Sequence, residues 1–268
     1  MESRDAEKLP TELDKFKFDL QGFAIFRNFL SEQEVAELNA ILDPICAKFA
    51  GNSKFDFVSE HRRFLELMCD RRTLSLCSAW IGDHFRFAEA WGIHGRPQNR
   101  NLHAGPFSAQ GFNQYTWTGN RSCTSCLVFG VILTEQRRGD GGLVIVPGSH
   151  KVTTGQSGDF VFNRIFKGRM DYECVIQPEL KPGDIVVFAE ATMHGTECWS
   201  PKDRVRRNLY YKFTHSFCTF LPDDDIQLNK LRSMAANEQE KRVLEGPWVR
   251  NLGGSDVKGV KTRDKTML

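Results

Sequence analysis

From residue 84 onward the chain becomes a series of short apolar runs punctuated by turn signals, and this restricts its fold more than any other feature. HFRFAEAWGI, CLVFGVILTE (126–135), GGLVIVPGSHK (141–151) and RRNLYYKFTHSF (206–217) each read as a strand. YECVIQPELKPGDIVVFAEATMHGTECW reads as two strands around the turn Lys181-Pro182-Gly183-Asp184. No helical pattern separates these runs, so the sheet is expected to be antiparallel, closed as a sandwich or barrel. The 21 phenylalanines against 4 tyrosines suit a sheet-rich core.

The ends of the chain follow a different period. Residues 1–16 are expected to form a polar arm, followed by a short apolar strand in KFDLQGFAIFRNFL ending near Phe29. Ser31 and Glu34 form an S-x-x-E capping box, and Val35, Leu38, Ile41, Leu42 and Ile45 recur at helical spacing, predicting a helix over 32–50. A second helix is expected over roughly 61–81, and residues 226–247 return to helical composition. The Gly- and Lys-rich end, 251–268, reads as a flexible tail, leaving residues 17–250 as a single domain of helices on a β core.

Several function classes lose support at this stage. A net charge of +2 gives no reason to expect a nucleic-acid partner. No apolar run approaches the length of a membrane span, and the charged N-terminus lacks the apolar stretch of a signal peptide. The eight cysteines show no disulfide rhythm and read as free thiols in a reducing compartment, with a cytoplasmic location expected.

Two histidines lie where strands are expected to end: His103 in NLHAGPF and His194 in ATMHGTE. Either alone is more often a hydrogen-bonded structural residue. Arg204, Arg206 and Arg207 follow His194 across a turn onto the next strand, from which an arginine can present a rigid fork to a bound carboxylate. Alternation puts Arg206, Asn208 and Tyr210 on one face and Arg207, Leu209 and Tyr211 on the other, and only one set can face the interior.

ILTEQRRGDGGLVIVPGSHK, LKPGDIVVFAEATMHGT and RRNLYYKF, with the opening GFAIFRNFLSEQEVAELNAILD, resemble the phytanoyl-CoA dioxygenase-like group of Fe(II)/2-oxoglutarate oxygenases over roughly residues 18–217. The resemblance implies a mainly β fold with outer helices and a double-stranded β-helix (jelly roll) core. It implies Fe(II) held by His103 and His194, with 2-oxoglutarate and O2 as co-substrates and a small organic molecule as substrate. It assigns the 2-oxoglutarate carboxylate to Arg206, with Arg207 and Arg204 as fallbacks, and a supporting hydroxyl to Thr196, two residues past His194. No catalytic residue is expected beyond the iron site. His150 belongs to the turn Pro147-Gly148-Ser149-His150, and His94 and His215 read as structural.

One position departs from the family. Its metal motif is His-x-Asp or His-x-Glu, and here the triplet is His103-Ala104-Gly105. Three outcomes are open. Chloride can take the carboxylate's place, as in the iron halogenases of the same superfamily, with Gly105 leaving room for it. Water or a carboxylate from elsewhere can fill the position in a hydroxylase. Or no iron binds, and the jelly roll is an inactive binding or regulatory protein. Glu89, Asp140, Glu190 and Glu197 are the candidate carboxylates. On an extended strand Glu190 would lie about 13 Å from His194, and Glu197 would point to the opposite face.

The remaining signals are weaker. Cys123 and Cys126 form a lone C-x-x-C without the second pair a zinc site needs. Arg62, Arg63, Arg71 and Arg72 read as a solvated helix face. Phe107, Phe112, Tyr115, Trp117 and Trp199 flank the proposed ligands and suit either a pocket wall or ordinary core.

Overall fold

The computed structural model describes residues 10–49, 54–105, 114–118, 121–153, 155–218 and 226–246. Phe107, Phe112 and the expected tail lie outside them.

The first described element is helix α1 (Glu12–Gln21), so residues 12–16 of the expected arm are helical. Thr11 and Asp14 form a reciprocal capping box, and Gly22 closes the helix in the left-handed conformation. Only then comes strand β1 (Phe23–Phe26), shorter and later than expected. Helix α2 (Glu32–Cys46) starts at the Ser31–Glu34 capping box and ends short of residue 50. A two-residue strand, β2 (Lys54–Phe55), follows. The single helix expected over 61–81 is two helices, α3 (Arg62–Met68) and α4 (Arg71–Trp80). The Asp70 side chain accepts from the Arg72 amide and restarts the chain there.

The β region runs through β3 (Phe85–Gly95), β4 (Asn101–His103), β5 (Tyr115–Thr118), β6 (Arg121–Thr124), β7 (Cys126–Ile132) and β8 (Gly142–Ile145). A short helix α5 (Gly158–Phe160) runs into a π-helical turn over Val161–Ile165, where no helix was expected. Then follow β9 (Ile185–Ala189), β10 (His194–Glu197), β11 (Arg206–His215) and the outer helices α6 (Ile226–Met234) and α7 (Glu238–Val243). The strand expected before the Lys181–Asp184 turn is reduced to the isolated bridges Gln136–Leu180 and Ile145–Ile176.

Six strands pair in the order β1-β9-β7-β11-β3-β2, and three in the order β4-β10-β8, with every pairing antiparallel. The two sheets face each other, and Val128, Ile132, Val186, Phe188 and Tyr210 of the large sheet meet Leu143 and Ile145 of the small one. On the other face of the large sheet, Phe129, Val187, Leu209, Tyr211 and Phe213 join a second core with α1 to α4, α6 and α7. Both faces of β7 and β9 are therefore covered, which explains why these strands are apolar throughout rather than alternating. Among the described residues no helix is long and apolar enough to cross a membrane.

Candidate functional site

The small sheet brings the two histidines together. β10 runs antiparallel to β4 with His194 directly opposite His103, so the two side chains stand on one face. Their ring centroids are 4.4 Å apart at 62°, and Phe188 lies 4.5 Å from His194 on the inner side. His194 Nδ1 lies 2.7 Å from the Thr192 carbonyl. A carbonyl only accepts, so Nδ1 carries the proton and Nε2 keeps its lone pair. Burial, reinforced by the neighbouring His194, lowers the His103 pKa to about 3. Burial likewise lowers that of His194 to about 4, against the opposing pull of the Thr192 carbonyl. Both rings are therefore neutral near pH 7, the form in which imidazole ligates metals. Thr196, two residues along β10, shares their face; its amide donates to Asn101 Oδ1.

β11 sorts the arginines. Arg206 is 1% exposed on the inward face with Asn208 and Tyr210. Its Nη2 donates to Tyr210 Oη at 2.8 Å, and its Nη1 is buried without a partner. The Asn208 amide oxygen, in its hydrogen-bonding orientation, accepts from Arg206 Nε at 3.2 Å. Arg207 points the other way, to Asn39 and Asp43 of α2, each at 2.8 Å. Arg204 is paired with Asp140 and Asp203 outside the barrel.

Gly105 occupies a strained turn. Ala104 and Gly105 have φ of 64° and 95°, and the Gly158 amide donates to Ala104 O. Gly158 fits there because a Cβ would stand 2.4 Å from His103 O. A Cβ at Gly105 would lie 3.2 Å from Met193 Cγ and 3.3 Å from its Cε, so a side chain here would have to push the methionine aside. Gly105→Asp is accordingly expected to cost roughly 1–3 kcal/mol, the usual price of a left-handed non-glycine residue. A urea midpoint equal to wild type would show that this backbone relaxes freely.

The candidate carboxylates separate cleanly. Asp140 is held by Arg204, and Glu197 by Arg100 at 2.7 Å on the outward side of β10. Glu190 is not on an extended strand: β9 ends at Ala189 and a turn leads to β10, so the expected 13 Å separation does not apply. Glu190 and Glu89 both grip Lys212, at 3.3 and 3.0 Å. Burial alone would depress the Lys212 pKa, but Glu190 and then Glu89 raise it above the ordinary lysine value. Lys212 was missed at the sequence level, although alternation from Arg206 places it on the inward face. Among the described residues no three His, Cys, Asp or Glu side chains are grouped to hold a metal ion.

Other expected features resolve as structure. Tyr115 donates to Asp19 and packs edge-on against His150, while Trp199 is buried and donates to Arg204 O. His94 meets Arg207 and His215 meets Cys123, as expected of structural histidines. All eight cysteines are free. The helix-face arginines are not all solvated: Arg63 reaches Glu34 and Glu37, Arg72 reaches Asp70 and the Phe29 carbonyl, and Arg62 pairs with Glu66 and the buried Glu240.

These elements define a double-stranded β-helix protein with a paired-histidine site at the junction of its sheets. Residues 96–206 match the family model for phytanoyl-CoA dioxygenase (PhyH), so the chain is PhyH-like across the segment carrying His103, Gly105, His194, Thr196 and Arg206. Among solved structures, HygX from Streptomyces hygroscopicus with nickel and 2-oxoglutarate bound is 19% identical with a TM-score of 0.69, over 79% of this chain and 90% of that one. The epimerase SnoN in complex with Fe3+, alpha-ketoglutarate and nogalamycin RO is 17% identical with a TM-score of 0.59, over 84% and 91%. EctD from S. alaskensis with 2-oxoglutarate and 5-hydroxyectoine is 18% identical with a TM-score of 0.57, over 77% and 76%. At these identities the likeness establishes the jelly-roll fold. A search of the curated proteins found no match.

Proposed function

We propose that the chain is a non-haem Fe(II)/2-oxoglutarate-dependent oxidoreductase acting on a C–H bond of a small organic substrate. One observation carries this reading. A pair of neutral imidazoles, His194 buried and His103 half-buried, stands opposite across β4 and β10, in a barrel whose other wall buries an arginine with a guanidinium nitrogen unpartnered. That donor set fits the cofactors: His103 and His194 hold the metal, and Arg206 takes the far carboxylate of 2-oxoglutarate, with Thr196 beside it. When bound, Fe(II) with 2-oxoglutarate and O2 supplies the oxidising power for the C–H bond, giving succinate and carbon dioxide as co-products. The protein's part is to bind, orient and shield. Phe188, Val186 and Tyr210 line the interior with apolar surface, and the Thr192 carbonyl fixes the His194 tautomer.

Hydroxylation is the first reading, with water in the place where the family carries a carboxylate. Halogenation, with chloride at Gly105, is the second reading, since among the described residues no carboxylate completes a three-residue metal group. The free thiols suit the reducing cytoplasm. The test is anaerobic addition of Fe(II) and 2-oxoglutarate, for which a metal-to-ligand charge-transfer band is expected. Its absence would leave an inactive jelly-roll binding protein. A band that shifts when chloride is added would favour halogenation, and an unchanged band hydroxylation.

A further inference from the structure

Among the described residues, three buried side-chain atoms lack a hydrogen-bond partner: His150 Nδ1, Arg206 Nη1 and Glu190 Oε2. His150 Nδ1 lies against Gly22 outside the barrel, where a Cβ would come within 2.5 Å of it. Arg206 Nη1 belongs to the site already described. Glu190 Oε2 remains. Glu190 is 3% exposed and is fixed at the end of β9 by its amide, which donates to Cys126 O on β7. Its other oxygen is held by Lys212, an inward residue of β11 that also binds Glu89. Two carboxylates around one ammonium give the cluster a formal charge of −1; Glu190 and Lys212 are buried and Glu89 is half-buried. The other charges that act on the two histidines are Lys54, over the Trp91 ring at 4.7 Å, and Asp159, within α5; both are exposed to water.

A bare carboxylate oxygen in such a place is costly unless a donor meets it. Four residues further along the chain is His194, in a metal site short of one negative charge because position 105 is glycine. Lys212 stands in one row across the large sheet with Val128 and Phe188, and Phe188 packs 4.5 Å from His194, so the Glu190–Lys212 pair belongs to the same interior as the histidines. A carboxylate near a site that lacks one, with an oxygen awaiting a donor, accounts for both anomalies at once.

We infer that Glu190, held in place by Lys212, supplies beside His103 and His194 the negative charge that Gly105 withholds, its Oε2 accepting a hydrogen bond from a water in the absent ligand's place. The inference rests on the iron-dependent reading above. Glu190 is then a positioning residue rather than a ligand, which agrees with the lack of a three-residue metal group among the described residues. It also removes the electrostatic need for chloride.

The test is titration of the full-length protein with Co(II), with 2-oxoglutarate present. It is run in potassium chloride and in potassium gluconate at equal ionic strength, so that screening is constant. Wild-type affinity is expected to be the same in both salts. Glu190→Gln is expected to lose on the order of tenfold or more in affinity, as outer-shell changes at metal sites do. Chloride should restore part of that loss by replacing the missing charge, an effect a purely structural role for Glu190 would not produce. Glu197→Gln, on the outward side of β10, serves as the control and should match wild type. Equal affinity in wild type and Glu190→Gln would overturn the inference alone. So would a several-fold gain in wild-type affinity with chloride, and that measurement stands even if Glu190→Gln does not fold. A wild type that binds no Co(II) overturns the iron-dependent reading with it.

Discussion

Alanine at either His103 or His194 is expected to abolish divalent-metal binding in a domain that still folds. Each is one of only two protein ligands proposed, so the loss should exceed the roughly 10–100-fold typical of outer-shell changes. The folding cost should be small. β4 and β10 are joined by backbone hydrogen bonds that the substitution leaves alone, and His194→Ala gives up chiefly its bond to Thr192 O, worth about 1 kcal/mol. The same pair should make stability pH-dependent. Their folded pKa values, about 3 and about 4, lie below the ordinary 6.5. Below pH 6.5 the unfolded chain therefore takes up protons that the two rings of the folded protein refuse. Stability should fall as pH drops from 6.5 toward 4, and each alanine variant should flatten that slope. Metal stoichiometry and thermal melts between pH 4 and 8 check both effects. Wild-type iron content in either variant would remove that histidine from the ligand set.

What was legible in the chain was local. The Ser31–Glu34 box marks the start of α2 because the signal lies within one helical turn. The break between α3 and α4 escaped notice because apolar spacing continues through it, and only the Asp70 cap betrays the restart. α1 was hidden in polar sequence: among its larger apolar side chains Phe18 alone is buried, while Leu13, Phe16 and Leu20 are exposed. The site divides in the same way. Alternation along β11 separates Arg206 from Arg207 without reference to any other strand. The His103–His194 pairing instead depends on β4, three residues long and preceded by an irregular loop, meeting a strand far away in sequence. Strand rise does not place Glu190 relative to His194, because the chain turns between them. The partners of Lys212, from β3 and the end of β9, emerge only once the sheet order is known.

Arg206→Ala is expected to weaken 2-oxoglutarate binding by roughly 2–5 kcal/mol, the usual loss when one partner of a shielded, charge-assisted pair is removed. That corresponds to about thirtyfold or more in affinity. The size of the effect follows from where the charge sits. The Arg206 guanidinium is buried, two of its nitrogens are engaged by Tyr210 and Asn208, and the third is left for a ligand. A guanidinium oriented in this way loses little freedom when a carboxylate docks. Arg206→Lys should recover only part of the affinity, since one ammonium cannot hold Tyr210 and also present a fork. Arg207→Ala acts elsewhere: it releases Asn39 and Asp43 and loosens α2 against the sheet, so it should lower the melting temperature and leave 2-oxoglutarate affinity within a factor of about two. Equilibrium titration of 2-oxoglutarate into the metal-loaded proteins separates the two. If Arg207→Ala proves the more damaging to affinity, the inward face of β11 does not carry the co-substrate site. If neither variant matters, the carboxylate is held by a residue other than these two arginines.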